Sequence, residues 1–353
     1  YQMLDFDELE ELEALAEERD RLSSGQPICL RWLVDVSGWE PSDAEIDFLI
    51  DLVPSDNPDQ VKKYKLRDDQ KRSLVGRLLT HAAVATVLGI PYREISIGRT
   101  KGRKPFLCTP HNVDWAPNFN FNISHEGRYV ALATENLCVV GVDVASPLSQ
   151  RIGKQSFPDA FACWDTVCSP AERNDIRKQG SEELQSGAFQ RHWSLKEAFV
   201  KARGDGLAFE PLSRAEFTIG GPLGALEPRV RVDGQARPEW RFFLEERGGY
   251  WFSVSRAPPK AIIDAMGQFT RTLKRPILAQ DEMERALAAP NPTFVSKSVR
   301  DLLPAEALRM YDDLVDVDGA RALPSGLCTA VGALHRRRGF ALPSGLCTAV
   351  GAL

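Results

Sequence analysis

Asn118-Phe119-Asn120-Phe121-Asn122-Ile123-Ser124-His125 alternates polar and apolar residues almost without exception. A period of two belongs to a β-strand, so Phe119, Phe121 and Ile123 share one face and Asn118, Asn120, Asn122 and Ser124 the other. Gly127 supplies a turn, and Tyr129 to Thr134 reads as the returning strand. Val139-Val140-Gly141-Val142-Asp143-Val144 follows as another strand, ending at Ser146-Pro147. Upstream, Ile28 to Val34 reads as a buried strand. Asp68 to Leu88 is a helix with Leu74, Leu78, Ala82 and Ala85 on one face, stopped by Gly89 and Pro91. A basic loop then carries Arg99, Lys101, Arg103 and Lys104, broken by Gly102 and closed by Pro105.

A second unit of similar grammar follows. Ser169-Pro170-Ala171-Glu172 is a capping-box start with proline at the first helical position. A helix runs from about Gly187 to Ala202 and ends at Gly204, and strands are expected at 214–219, 240–245 and 250–255. The expected class is therefore α/β (α+β) with two similar halves, 28–147 and 148–257. Residues 1–27 read as an acidic helical extension and 258–321 as a helical or partly disordered tail. Residues 322–334 and 341–353 are the same thirteen residues, a duplication too short to bury a shared core, and the segment receives no role.

Bulk properties narrow the function. No apolar run of some 18 residues exists to cross a bilayer, and the acidic amino-terminal stretch does not resemble a targeting peptide. A net charge of −5 argues against a nucleic-acid partner, which normally meets a basic face. The seven cysteines show no CxxC pair and no zinc spacing, the pattern of reduced thiols in a cytoplasmic protein.

The chemistry is carried by Trp193-Ser194-Leu195-Lys196-Glu197-Ala198-Phe199-Val200-Lys201. At about 100° per residue, Trp193, Glu197 and Lys201 form one stripe, opposite Leu195, Phe199 and Ala202. Taken alone, the Glu197–Lys201 spacing is an ordinary surface pair. Asp143 changes that reading, because an acid in a buried strand must be paired, hydrogen-bonded or bound to metal. Two separated acids suit Mg²⁺, which keeps waters and takes its other ligands from substrate phosphates. His125, Arg77, Arg99 and Lys104 are the candidate phosphate-binding groups.

Asn120 to Gly127, Val140 to Val144 and Trp193 to Lys201 resemble, in order, three motifs of the 4′-phosphopantetheinyl transferase superfamily. The closer likeness is to its long, surfactin-synthetase-type branch and to the broad-specificity animal and fungal enzymes. The resemblance covers about Ile28 to Ala257. It implies two α/β halves about a pseudo-twofold axis with coenzyme A in the cleft, and transfer of phosphopantetheine to a carrier-protein serine. It further implies that Asp143 and Glu197 bind Mg²⁺, that Lys201 and His125 meet the pyrophosphate, and that Glu197 takes part in catalysis. Coenzyme A contacts are implied for Ser124, Arg77, Arg99 and either Arg103 or Lys104. Ala145 stands where bacterial relatives often carry a third acid, which leaves the general base open between Glu197 and a metal-bound water. Acidic carrier domains of fatty-acid synthase, polyketide synthase, peptide synthetase or aminoadipate reductase are the implied partners, and a monomer is expected. A non-catalytic coenzyme A or carrier-binding module and a Mg²⁺-dependent phosphodiesterase are the competing classes. Intact Asp143, Glu197 and Lys201 weigh against the first, and the absence of a hydrolase motif against the second.

Overall fold

The computed structural model describes residues 28–53, 59–147, 166–220 and 227–322, together with Glu18, Phe157 and Phe161. The acidic extension, apart from Glu18, and the duplicated segment lie outside the described residues. No helix among those described is long and apolar enough to cross a membrane.

The alternating stretch forms β4 (Asn120–Glu126), and β5 (Tyr129–Glu135) returns antiparallel to it. β5 also pairs with β1 (Arg31–Asp35), so the first sheet orders as β1-β5-β4. Helix α1 (Arg67–Leu88) separates β1 from the β4–β5 hairpin and ends on Gly89 in the left-handed conformation. Between helix and hairpin lies a two-stranded ribbon, β2 (Ile97–Arg99) and β3 (Pro105–Leu107).

The second half repeats this plan. β6 (Val139–Ala145) comes first, then helices α2 (Pro170–Arg177) and α3 (Glu182–Arg203). A small sheet of β7 (Ala215–Thr218), β8 (Arg229–Val232) and β9 (Gln235–Ala236) follows, then the hairpin of β10 (Arg241–Arg247) and β11 (Tyr250–Ala257). Sheet order is β6-β11-β10, so in both halves the second hairpin strand is central and pairs with the strand before the helix. The strand bearing Asp143 thus belongs to the second sheet, which moves the division between the halves from 147 to the loop before Val139. The expected capping box is present: Glu172 N donates to Ser169 Oγ (3.3 Å) and Ser169 N to Glu172 Oε2 (2.7 Å).

Residues 258–304 belong to the same compact unit as both sheets. β12 (Val295–Ser296) adds to β1 in parallel. Arg31 and Arg256, from different sheets, both donate to buried Glu135, at 2.6 and 3.0 Å. Arg31 also donates to Asn291 Oδ1 (2.8 Å) and Arg256 to Ala289 O (2.7 Å), which fastens this segment to the core. A smaller unit comprises Pro41–Phe48 and Ala305–Leu353; within it Tyr311 Oη donates to Glu45 Oε1 (2.6 Å).

The two sheets meet along β4 and β6 through side chains. Asn120 Oδ1, Asn122 Oδ1, Ser124 Oγ and Glu126 Oε1 accept the amides of Val140, Val142, Val144 and Ser146 in turn, at 3.1, 2.9, 3.2 and 3.2 Å. These are the alternate β6 amides that an antiparallel partner on one side leaves unpaired. The polar face of β4 is therefore a ladder for the neighbouring edge, and its opposite face packs on α1.

Helix α3 lies directly on β6. A Cβ on Gly141 would stand 2.1 Å from Ala198 O, so this position tolerates no side chain while the helix stays in place. Leu195, Phe199 and Ala202 are buried with Phe217, Trp240 and Phe242 in the core beneath the helix. At the carboxyl end of α3 the β2–β3 turn packs equally closely, with a Gly102 Cβ only 2.0 Å from Gly204 O. Lys104 turns inward there and donates to Val140 O (2.7 Å) and Lys201 O (3.0 Å).

Two expectations follow from these contacts. Asn122→Ala leaves the buried Val142 amide without an acceptor and should cost about 1–3 kcal/mol in urea unfolding; a loss well below that range would show that the ladder is not structural. Burial lowers the Lys104 pKa to about 7, against about 10.4 in an unfolded chain. Between those values the unfolded state holds the extra proton, so this group's contribution to stability rises with pH. The Tm of the wild type relative to Lys104→Met should increase from pH 7 to 9, and a flat difference would contradict the buried amine.

Candidate active site

Ser124 of β4, Asp143 of β6 and Lys201 of α3 converge on one point. Lys201 Nζ donates to Asp143 Oδ1 (2.6 Å) and Ser124 Oγ (2.8 Å), and Ser124 Oγ donates to the same Oδ1 (3.1 Å). Helical side chains lean toward the amino terminus, which lets Lys201 reach back along α3 to the strand. Ser124 is also a rung of the β4–β6 ladder, so the contact that joins the sheets also orients the site. Asp143 is buried, and its Oδ2 has no hydrogen-bond partner. Burial pushes its carboxyl pKa up; Lys201 and Ser124 oppose that shift, and the charge of Glu126 adds to it.

Glu197 lies one turn before Lys201 and is half-buried. Lys196 between them turns the other way: its side chain is fully buried and donates to Glu172 Oε2 (2.8 Å) and to Ala215 O. Glu172 also accepts from Phe217 N (2.7 Å), while His192 Nδ1 approaches it at 3.4 Å without hydrogen-bonding geometry. Adjacent motif residues thus differ in burial, Lys196 fastening the helix from within and Glu197 staying partly exposed. Trp193 packs on Phe189 with ring centroids 6.1 Å apart.

His125 falls on the β4 face opposite Ser124 and is exposed. Partial desolvation, with the charges of Lys201 and Arg72, lowers its pKa below the usual imidazole value. Arg77 is buried within α1, whereas Arg99 and Arg103 are exposed on the β2–β3 turn. Arg103 adopts a left-handed backbone (φ 69°), and after it the chain sends Lys104 inward. The structure brings Ser124, Asp143 and Lys201 together and commits the Lys104 ammonium to backbone carbonyls.

Glu126 was not singled out from sequence. It lies within electrostatic reach of Asp143 and accepts from both Ser146 N and Ser146 Oγ. Gln190 Nε2 of α3 donates to Ser146 O (2.7 Å), closing a link from β4 through β6 to the helix. The signal was present, since Glu126 is the next step in the polar alternation after Ser124. Among the described residues, no three His, Cys, Asp or Glu side chains form a metal-holding cluster.

Residues 37–137 match the family model described as 4′-phosphopantetheinyl transferase, N-terminal, and residues 139–255 match that of the 4′-phosphopantetheinyl transferase superfamily. The break between the two falls where β6 begins the second sheet. An L-aminoadipate-semialdehyde dehydrogenase-phosphopantetheinyl transferase of Rattus norvegicus is 35% identical over 219 residues, 60% of this chain and 69% of the rat protein. A phosphopantetheinyl transferase of a Thraustochytrium species is 33% identical over 220 residues, 61% of this chain and 73% of that protein. A 4′-phosphopantetheinyl transferase of Bacillus subtilis is 26% identical over 200 residues, 56% of this chain and 75% of its own length. With both halves matched and the site drawn from the three motif segments, the chain belongs to the 4′-phosphopantetheinyl transferase superfamily.

Proposed function

We propose that this chain transfers the 4′-phosphopantetheine group of coenzyme A to a serine of an apo carrier protein and releases adenosine 3′,5′-bisphosphate. The observation that carries this reading is the Ser124–Asp143–Lys201 triangle, which sets a cation and a charge-deficient carboxylate together where both sheets and α3 meet. In the reaction the serine oxygen bonds the β-phosphorus and the bond to the departing nucleotide phosphate breaks. The serine proton passes to a carboxylate, for which Glu197 is the candidate beside Lys201. Lys201 is placed to share its ammonium between Asp143 and a phosphate oxygen, so it can follow charge onto the leaving group. The His125 ring can donate a hydrogen bond at the edge of the same site.

The donor set fits a divalent cation. Asp143 is a buried carboxylate with one satisfied oxygen, and burial raises its pKa even with Lys201 in contact, so the site is short of positive charge. Asp143 and Glu197 are the residues that would hold Mg²⁺, which would supply charge neutralisation at the pyrophosphate. Glu126 supplies the third negative charge of this region that Ala145 lacks. Arg99 and Arg103 are assigned to the 3′-phosphate end of coenzyme A, because both are exposed on the turn while Lys104 is held inward. The acceptors are carrier domains of the fatty-acid synthase, polyketide synthase, peptide synthetase or aminoadipate reductase type. A single chain suffices, because both sheets of the site come from it.

Incubation of apo acyl carrier protein with this protein, coenzyme A and Mg²⁺ should add about 340 Da to the carrier, and EDTA should prevent the gain. Glu197→Ala should abolish the gain, and near-normal turnover by that variant would remove Glu197 from the site. Replacing Arg99 and Arg103 with alanine should raise the KM for coenzyme A far more than it lowers kcat. Equal changes in both would place these arginines at the transition state instead.

A further inference from the structure

Arg191 stands on α3 ten residues before Lys201, about 15 Å toward the amino end of the helix. It is half-buried, and its guanidinium stacks over the Trp251 ring at 5.4 Å. Its Nε is buried with no hydrogen-bond partner, and among the described residues it makes no ion pair. Burial lowers its pKa with no carboxylate to oppose the shift. A buried N–H without an acceptor costs free energy, so the Nε end of this guanidinium can still gain from a hydrogen-bonding partner.

The position adjoins the active site. Trp251 is the cross-strand partner of Ala145, and Ala145 shares a face with Asp143 one pleat along β6. Gln190, the preceding residue of α3, is fastened to Ser146 at the end of that strand. The basic turn and Lys201 lie at the opposite, carboxyl end of α3. Leu184, 57% exposed, lies two turns before Arg191 on the same helical stripe.

We propose that Arg191, backed by Trp251 and flanked by Leu184, is the docking anchor for the acidic surface of the carrier protein, an inference that rests on the transferase reading. A carrier that presents its serine at Asp143 must cover the adjoining face, and coenzyme A is assigned to the other end of the helix. Arginine and tryptophan are both enriched among the residues that dominate interfaces, and a half-buried guanidinium with an unpartnered Nε complements an acidic surface.

The test uses Arg191→Met, which keeps apolar packing on Trp251, and Arg191→Glu, with an apo fatty-acid acyl carrier protein as probe. Arg191→Met should raise the carrier KM about tenfold and Arg191→Glu more, while kcat and the KM for coenzyme A stay within about twofold. Salt should weaken carrier binding to the wild type and have less effect on Arg191→Met. An unchanged carrier KM, or a rise in the coenzyme A KM instead, would overturn the proposal; the latter would make the anion a coenzyme A phosphate. Calorimetric binding of the apo carrier separates this inference from the one beneath it. Arg191-dependent binding without phosphopantetheine transfer would overturn the transferase reading alone, and transfer with Arg191-independent binding would overturn the docking anchor alone.

Discussion

Four side chains of one strand accepting four amides of another is the constraint on which this structure depends. β4 and β6 are edge strands of different sheets, and each presents backbone groups that cannot be left dry and unpaired. Direct strand pairing would merge the sheets into one. Asn120, Asn122, Ser124 and Glu126 instead hold β6 at side-chain length, which satisfies its amides and keeps two separate sheets. The separation matters because the Ser124 hydroxyl, the Asp143 carboxylate and the Lys201 ammonium meet along this seam.

The ladder and the site share parts. Ser124 Oγ accepts a β6 amide, donates to Asp143 and receives Lys201, so its position is determined from three sides. Glu126 uses one oxygen on Ser146 while its charge bears on Asp143. Packing from the far side completes the arrangement: Gly141 lets α3 approach β6 until helix backbone meets strand, which brings Lys201 within reach of a buried acid. An acid so placed would be unfavourable in a folded chain without its cation. The fold leaves that acid's second oxygen without a hydrogen-bond partner even with Lys201 in contact.

Buried cations elsewhere serve assembly. Lys196 joins α3 to Glu172 and β7, Lys104 joins the β2–β3 turn to β6 and α3, and Arg31 and Arg256 join the sheets at Glu135. Burial would raise the Glu135 pKa, yet the two arginines hold it low, as expected where opposite charges outweigh desolvation. Each of these cations is spent on a carbonyl or carboxylate already in the fold. Arg191, stacked on Trp251 with its Nε unpartnered, is not spent in that way.

By itself the sequence determined the strands and helices, because the period-two run at 118–125, the capping box at Ser169 and the glycine stops at 89 and 204 are local signals. It also singled out Asp143 and Lys201, which the fold joins, since an acid in an apolar strand and a charged stripe on a helix are anomalies visible along the chain. Tertiary structure alone decided what the asparagines of β4 do, because their partners lie twenty residues away and carry no mark in the side chains. It also decided that Lys104 and Lys196 turn inward, that Arg103 stays exposed and that Lys201 reaches Asp143. Neighbouring cations look alike in sequence; only packing determines which of them finds a buried acceptor and which is left for a ligand.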